Sequence, residues 1–331
     1  MKTKVYRMSF VGPLHVYESG YGMEASDMMI HSDTLFSAIT GTAYKLYGDE
    51  VIKTFLENGK VLLSSAFPFW KIGADCYEYF LPKPFNWKPE IEKYADQKTF
   101  KKVRFVNRDI FERIINGGAD SYKFNKKNVV NGCLTYGLGE GNLFVIHETT
   151  RIMVDRVTNA TSMFNFSEVH FAENAGLYFM ASVDESIEKE FRASLNLLAD
   201  EGIGGDRTVG KGLFEIKEDS NFEFNSGGSK TGHYVLLSLY NPPKEEAGKI
   251  IPEDSSYEIT TRRGWISFPG HSDKRRKSLR MIKEGSVIQL GGAKPKGRLA
   301  DVYDTGEGVI IKRYGAAFCA GINTKIKQEA L

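Results

Sequence analysis

Apolar and polar residues alternate through "KVYRMSFVG", Lys4 to Gly12, which predicts a short strand closed by Gly12 and Pro13. A polar, glycine-containing loop follows, and then the period changes. In "HSDTLFSAITGTAYKLYG" the residues Leu35, Ile39, Ala43 and Leu46 share one helical face, with Ser32 or Asp33 placed to cap its start. "KVLLSSAFPFW" reads as a buried strand. From about residue 71 to 142 the periodicity dissolves into Pro, Gly, Lys and aromatic residues, as in "LPKPFNWKP" and "NGGADSYKFNKKN". That is too long for an ordinary connection, and predicts a functional insertion or a flexible arm. "EVHFAENAGLYFMASVD" has the pattern of a hairpin about "ENAG". A second helix follows, capped by Asp184, periodic in Ile187, Phe191, Leu195 and Leu198, and stopped at Gly202; "GLFEI" is the next strand.

The first half therefore reads as βαβ, an insertion, and βαβ, which suits an antiparallel sheet with helices on one face, the ferredoxin-like plan. "SNFEFNSGGSKTG" punctuates the chain near residue 230. Beyond it, "HYVLLSLYNPP", "SVIQL", "RLADVYD" and "GVIIKRYGAAFCA" are strand-rich with little helical periodicity, so a second sheet domain is expected.

The 331 residues are 41% hydrophobic and 26% charged, a globular composition. No run approaches the roughly 18 apolar residues of a membrane span, and "MKTKVYRMSF" lacks the apolar core of a signal peptide, so the cytoplasm is the expected location, with no membrane partner. Cys76, Cys133 and Cys319 are odd in number and far apart, which suggests core residues and neither disulfides nor zinc. The net charge of +2 hides an uneven distribution. Residues 260–300 carry eleven Lys or Arg against two acids, and residues 99–130 eight against three. Such excess is an electrostatic footprint for phosphates, although solvated loops produce it too.

The stretch "GIGGDRTVGKGLFEI" has nearly P-loop spacing, with Gly205, four residues, Gly210 and Lys211. Two features exclude that function. Gly212 stands where a P-loop needs the Ser or Thr that ligates Mg²⁺, and here the helix precedes the loop instead of following it. The glycines at 202, 204, 205, 210 and 212 then make either a tight helix-to-strand turn or a main chain that lets a bulky anion approach, with Arg207 and Lys211 supplying charge.

A search for catalytic chemistry returns little. "HETTR" has Arg151 where a zinc-protease helix needs its second His, and no nucleophile elbow or flanked cysteine occurs. His15 and His31 are the acid/base candidates of the first loop, with local hydrogen bonding the simpler role for His31. Asp33 suits a cap, Asp206 a turn, and Asp155 an ion pair with Arg151 or Arg156. Aromatic residues beside charge fit better. "FKKVRFVNR" sets Phe100 and Phe105 among Lys101, Lys102, Arg104 and Arg108; "TTRRGWI" sets Arg262 and Arg263 before Trp265; "GGAKPKGR" offers Lys294, Lys296 and Arg298 on a loop. The combination points to single-stranded nucleic acid, with core packing the competing explanation for the phenylalanines.

"HSDTLFSAI", "RIMVDRVTNATSMF" and "GIGGDRTVGKGLFEI" together resemble the motif series of the RAMP superfamily of CRISPR proteins, and more narrowly the family of Csm subunit four of type III-A effector complexes. "YEITTRRGWI", "EGSVIQL" and "KRYGAAF" extend the likeness over most of the chain outside 71–142. The resemblance implies an α+β protein of two ferredoxin-like (RRM-like) domains with antiparallel sheets, residues 1–225 with the insertion at about 71–142 and residues 230–331. It implies a non-catalytic subunit, without cofactor or metal, that holds the repeat-derived 5′ tag of the crRNA and joins the large signalling subunit to backbone Csm subunit three. On that reading the loop from His15 to His31, including Ser19, Gly20 and Gly22, lines the tag channel together with the loop of Gly204, Gly205, Arg207, Gly210 and Lys211. Arg104, Arg262, Arg263, Lys294 and Lys296 join it from the basic segments. Arg151 and Arg156 are motif residues, with RNA contact and bracing of the fold both open to them. The insertion would supply a thumb that bends the guide. The rivals are a metal-independent repeat endoribonuclease of the same superfamily using His15 or His31, and a scaffold whose glycine loop docks another subunit.

Overall fold

The computed structural model describes residues 1–323 except 18–24, 118–121, 137–140, 223, 225–227, 267, 269 and 272. The chain opens with strand β1 (Thr3–Phe10), helix α1 (Ser32–Tyr47), helix α2 (Asp49–Phe55) and strands β2 (Val61–Leu63) and β3 (Phe67–Lys71). Strand β4 (Tyr77–Pro82), helix α3 (Tyr94–Lys102), strand β5 (Phe105–Asn107), helix α4 (Arg108–Asn116) and the two-residue strands β6 (Val129–Val130) and β7 (Cys133–Leu134) come next. A long hairpin, β8 (Phe144–Val154) and β9 (Thr161–Phe171), leads to β10 (Ala175–Val183), helix α5 (Glu188–Glu201) and β11 (Phe214–Glu218).

The first half forms one sheet in the order β11-β1-β10-β3-β4-β5-β7-β6, with β2 also beside β10. Its β11-β1-β10-β3 portion is antiparallel throughout and has the strand order of a ferredoxin-like unit. Helices α1 and α5 pack together, and Thr42 of α1 donates its hydroxyl to the Ser194 carbonyl of α5 at 2.9 Å. Alternation along β1 sends Tyr6 toward them, stacked on Phe179 and tilted against Phe191. Asp184 accepts from the amide of Ser186 at the start of the turn leading into α5, and Gly202, with φ 79°, ends it as its position predicts.

Three expectations are corrected. The stretch at 71–142 is no arm, because β4, β5, β7 and β6 continue the sheet and Phe80, Phe105, Ile110, Phe111, Ile114 and Leu134 are buried in the main core. Each such buried Phe contributes roughly 1.5–3 kcal/mol, which holds a proline- and glycine-rich segment in place despite its weak periodicity. The turn at "ENAG" joins two strands that do not pair. β9 runs its whole length with β8, while β10 enters the sheet between β1 and β3. "KVLLSSAFPFW" is two short strands that both pair with β10, interrupted where the Ser65 amide turns to the Leu237 carbonyl of the second half.

The second half contains β12 (His233–Leu236), helix α6 (Lys244–Ala247), β13 (Ile259–Arg262), β14 (Leu279–Ile282), β15 (Val287–Gln289), β16 (Gly297–Asp304), β17 (Ile310–Ala316) and β18 (Cys319–Gly321). They make the antiparallel sheet β15-β12-β18 and the ribbons β13-β14 and β16-β17. Period-two alternation sends Val235 and Leu237 into the core shared with the first half, and Tyr234 and Leu236 into a smaller cluster with Ile288 and Cys319. Cys133 and Cys319 are core residues as expected, but Cys76 is exposed. No described helix is long and apolar enough to cross a membrane.

Candidate nucleic-acid interface

The glycine loop connects α5 to β11, and its main chain turns left-handed at Gly202, Gly204, Asp206, Gly210 and Gly212. A Cβ on Gly212 would sit 2.0 Å from the carbonyl of Ile203, on Gly204 2.4 Å from that of His15, and on Gly202 2.7 Å from that of Lys211. The amide of Gly205 donates to the His15 carbonyl at 2.8 Å, and that of Gly212 to the Pro13 carbonyl at 2.9 Å. Four of the five glycines are therefore required because the loop folds against itself and against the segment after β1. Gly210 is the exception, with open space around it. The exposed tip is 207–210, carrying Arg207 and Val209.

Lys211 points the other way. It is buried, forms an ion pair with Glu168 of β9, lies 3.6 Å from Asp206 and rests 4.0 Å from the ring centre of Phe166. Arg151 of β8 donates to Asp206 at 2.7 Å and stacks 3.8 Å from the same ring. Partial burial favours the neutral form of Asp206, but Arg151 and Lys211 outweigh it and hold its carboxyl below the ordinary range. This cluster fixes the glycine loop to the middle of the β8-β9 hairpin. Arg156, in the hairpin turn, and Arg207 are exposed, and their side chains make no ion pair or hydrogen bond among the described residues.

The histidines are enclosed. His15 is fully buried, with Nδ1 against the Ser167 carbonyl and its ring 4.2 Å from that of Phe166; burial lowers its pKa. His31 is buried too, its Nδ1 2.9 Å from Glu284 Oε1. Ser19, Gly20 and Gly22 lie outside the described residues.

The motif "HSD" proves to be the junction between the halves. Besides the His31–Glu284 contact, Ser32 accepts from the amide of Leu239 at 3.0 Å. Asp33 does not cap α1: Arg262 grips its carboxylate with two 3.0 Å hydrogen bonds and Arg313 adds another. Burial alone would raise the Asp33 pKa, but the two guanidiniums hold it far below the usual range. Arg262 is accordingly spent inside the protein. Arg104 likewise makes a bidentate pair with Asp27, at 2.8 and 3.0 Å, from a half-exposed position. Arg263, Lys294 and Lys296 are exposed, as is Trp265, which lies 4.6 Å beneath Arg275. Phe100 packs against Trp87 and Phe124 and Phe105 is buried, so neither is offered for base stacking. Asp155 closes its own turn by accepting from the amides of Val157 and Thr158 and pairs with neither Arg151 nor Arg156.

Sequence reasoning missed Glu284 and Arg313, the distant partners of the "HSD" motif, because ion pairs across more than 250 residues leave no local trace. It also missed the hairpin. The exposed residues Val145, Ile146, Ile152, Met153, Val154 and Met163 make both strands look buried in sequence, while in the structure they face solvent.

The first half is thus a ferredoxin-like antiparallel sheet with a glycine turn entering its edge strand, and a second antiparallel unit lies beside it. Residues 229–322 match the family described as the CRISPR Csm4 C-terminal domain. Over 271 residues the chain is 26% identical to "CRISPR system Cms protein Csm4" of Thermococcus onnurineus, covering 78% of this chain and 81% of that protein. It is 25% identical to the protein of the same name from Methanocaldococcus jannaschii, covering 87% and 86%. In fold it matches a chain of a crystallised Csm1-Csm4 cassette in complex with pppApA, with TM-score 0.64, 19% identity, and 98% and 99% coverage. It also matches a Csm3-Csm4 subcomplex of the type III-A CRISPR-Cas interference complex, with TM-score 0.57, 19% identity, and 96% and 98% coverage. The chain is similar to the Csm4 proteins over most of its length, and residues 229–322 match the model of their C-terminal domain.

Proposed function

We propose that this chain is the Csm4-type, non-catalytic subunit of a type III-A CRISPR effector complex. It binds the 5′ tag of the crRNA and bridges the large subunit to the backbone subunit. The observation that carries the reading is its relation to Csm4 proteins, two of whose structural neighbours were crystallised with Csm1 and with Csm3. The geometry supports an RNA path along the edge where the glycine-loop tip meets the hairpin. Arg207 and Arg156 hold phosphates there without reading sequence, and Arg263, Lys294 and Lys296 supply charge from the second half. Lys211, Arg151, Arg104 and Arg262 are bracing groups, since each is already engaged by a carboxylate. The burial of His15 and His31 supports a reading in which neither has an acid/base role.

The experiment is reconstitution with the two partner subunits and repeat-derived guide RNA. Wild type is expected to retain tagged RNA, and Arg156→Ala with Arg207→Ala to retain less. Equal retention by both at every salt concentration rejects the RNA path, and failure to bind either subunit rejects the bridging role.

A further inference from the structure

On the face of the first sheet opposite α1 and α5 lies a recess of about 140 Å³ lined by Arg7, Ser9, Phe69, Lys71, Tyr77, Glu173, Asn174 and Lys217. Ligand pockets for whole small molecules run to roughly 300–1,000 Å³, so this one admits a small group and not a large ligand. Its lining holds three cations against one carboxylate. Two of the cations are in an awkward relation: Arg7 of β1 and Lys217 of β11 occupy directly opposed positions in the antiparallel ladder. Like charges so placed destabilise a sheet. Among the described residues Lys217 has only a long contact with Glu215 at 3.5 Å, its side chain 70% exposed.

Arg7 is the deeper group. Its guanidinium stacks 3.6 Å from the centre of the Tyr77 ring, and its one carboxylate contact among the described residues is Asp219 at 3.6 Å, beyond a good hydrogen bond. That carboxylate oxygen already accepts from the Tyr79 hydroxyl. Nη1 of Arg7 is enclosed and has no hydrogen-bond partner among the described residues. A planar cation fixed by an aromatic ring and flanked by two lysines in the same recess suits a tetrahedral oxyanion.

We propose that this recess binds a phosphate group, with Arg7 as the fixed donor and Lys71 and Lys217 closing over the anion. The phosphate neutralises the repulsion between Arg7 and Lys217. The site is separate from the glycine-loop edge and does not depend on the proposed tag path. Phosphate monoesters of free nucleotides and diesters of an RNA backbone share the required chemistry.

The test uses the full chain and inorganic phosphate as probe, followed by thermal midpoint and calorimetric titration against chloride at equal ionic strength. Phosphate is expected to raise the midpoint where chloride does not. Lys71→Gln with Lys217→Gln, both at exposed positions, is expected to weaken phosphate binding about tenfold, as loss of a charge-assisted contact does, while the circular dichroism spectrum stays unchanged. Without phosphate the Lys217→Gln protein is expected to melt no lower than wild type, because a like-charge pair has gone. Competition by a nucleoside monophosphate assigns the monoester, and competition by a short single-stranded RNA assigns the diester. Absence of a phosphate-specific shift, or an unaltered response in the double variant, overturns the proposal. Arg207→Ala should leave the phosphate response intact, which separates this site from the tag-binding edge.

Discussion

Arg313 on β17 sets its guanidinium against the carboxylate of Asp33 in the first turn of α1, joining residues 280 positions apart. Arg262 of β13 holds the same carboxylate with two further hydrogen bonds, and all three side chains are almost fully enclosed. Removing the acid leaves two guanidiniums buried without their counter-ion. Asp33→Asn is therefore expected to cost about 3–5 kcal/mol, the range for breaking a buried pair on one side. Urea unfolding measures it, and a loss under about 1 kcal/mol would place the network in the category of exposed pairs.

Asp27, Asp33 and Glu284 share a pH signature. Burial alone would raise each, but Arg104, the Arg262–Arg313 pair, and His31 with Ser65 hold the three carboxyls below their ordinary values. A depressed folded value contributes stability that is complete above the unfolded pKa, about 4, and is lost as pH falls through the folded one. His15 acts at higher pH. Burial depresses its pKa, so the unfolded chain takes up a proton below about 6.5 before the folded chain does. The thermal midpoint is expected to begin falling as pH drops below that point, and more steeply below 4. In His15→Gln the first decline should disappear while the second remains.

The glycines of the loop are not equivalent. Gly212→Ala places a methyl group 2.0 Å from the Ile203 carbonyl and Gly204→Ala one 2.4 Å from that of His15, both at positive φ. Left-handed strain alone is worth about 1–2 kcal/mol, and the backbone overlap adds to it. Gly210→Ala meets no atom and carries only the strain. Chemical unfolding should rank Gly212→Ala and Gly204→Ala well below Gly210→Ala. Equal costs would mean that packing against Pro13–His15 is not what selects glycine there.

Sequence patterning was a good guide to β1, α1, α5 and β11, because one face of each is buried and the period shows it. It failed where burial is two-sided or distant. The 71–142 segment is held by Phe80, Phe105 and Phe111 in a core built mostly by other elements, so no local period marks its strands. The glycine loop was legible as a turn, yet the conspicuous Lys211 faces inward to Glu168, a partner 43 residues away that spacing does not reveal. What sequence could identify was the set of motif residues; which of them face solvent was decided by carboxylates elsewhere in the fold.

That division gives a partition between stability and binding. Arg207→Ala removes an exposed cation and is expected to change stability by less than about 0.5 kcal/mol. It should also lower the slope of log affinity against log salt for single-stranded RNA by about 0.7, the contribution of one phosphate contact. Lys211→Ala leaves Glu168 without its buried partner and should lower the melting temperature. Measured side by side in thermal melts and salt titrations, the two variants should separate; a purely RNA-binding phenotype for Lys211→Ala would contradict the bracing role.

The β8-β9 hairpin supplies the last case. Its strands pair over eleven residues each, and two-stranded hairpins are marginal in water without further support. Support comes from the base and middle, where Leu14 bridges to Val169, Phe10 stacks on Phe171, Lys211 pairs with Glu168 and Arg151 with Asp206. Toward the tip Ile152, Met153 and Met163 are more than half exposed, and Val157 in the turn is 91% exposed. Apolar side chains gathered on a projecting element mark a surface that is covered in an assembly. Met153→Ser with Met163→Ser touches no core contact and should leave the isolated protein's unfolding free energy within about 0.5 kcal/mol of wild type. Reconstitution with the large and backbone subunits and guide RNA should then give less intact complex by size-exclusion chromatography. Undiminished assembly would mean that the hairpin tip stays in water, and that its apolar residues serve only the pairing of its own two strands.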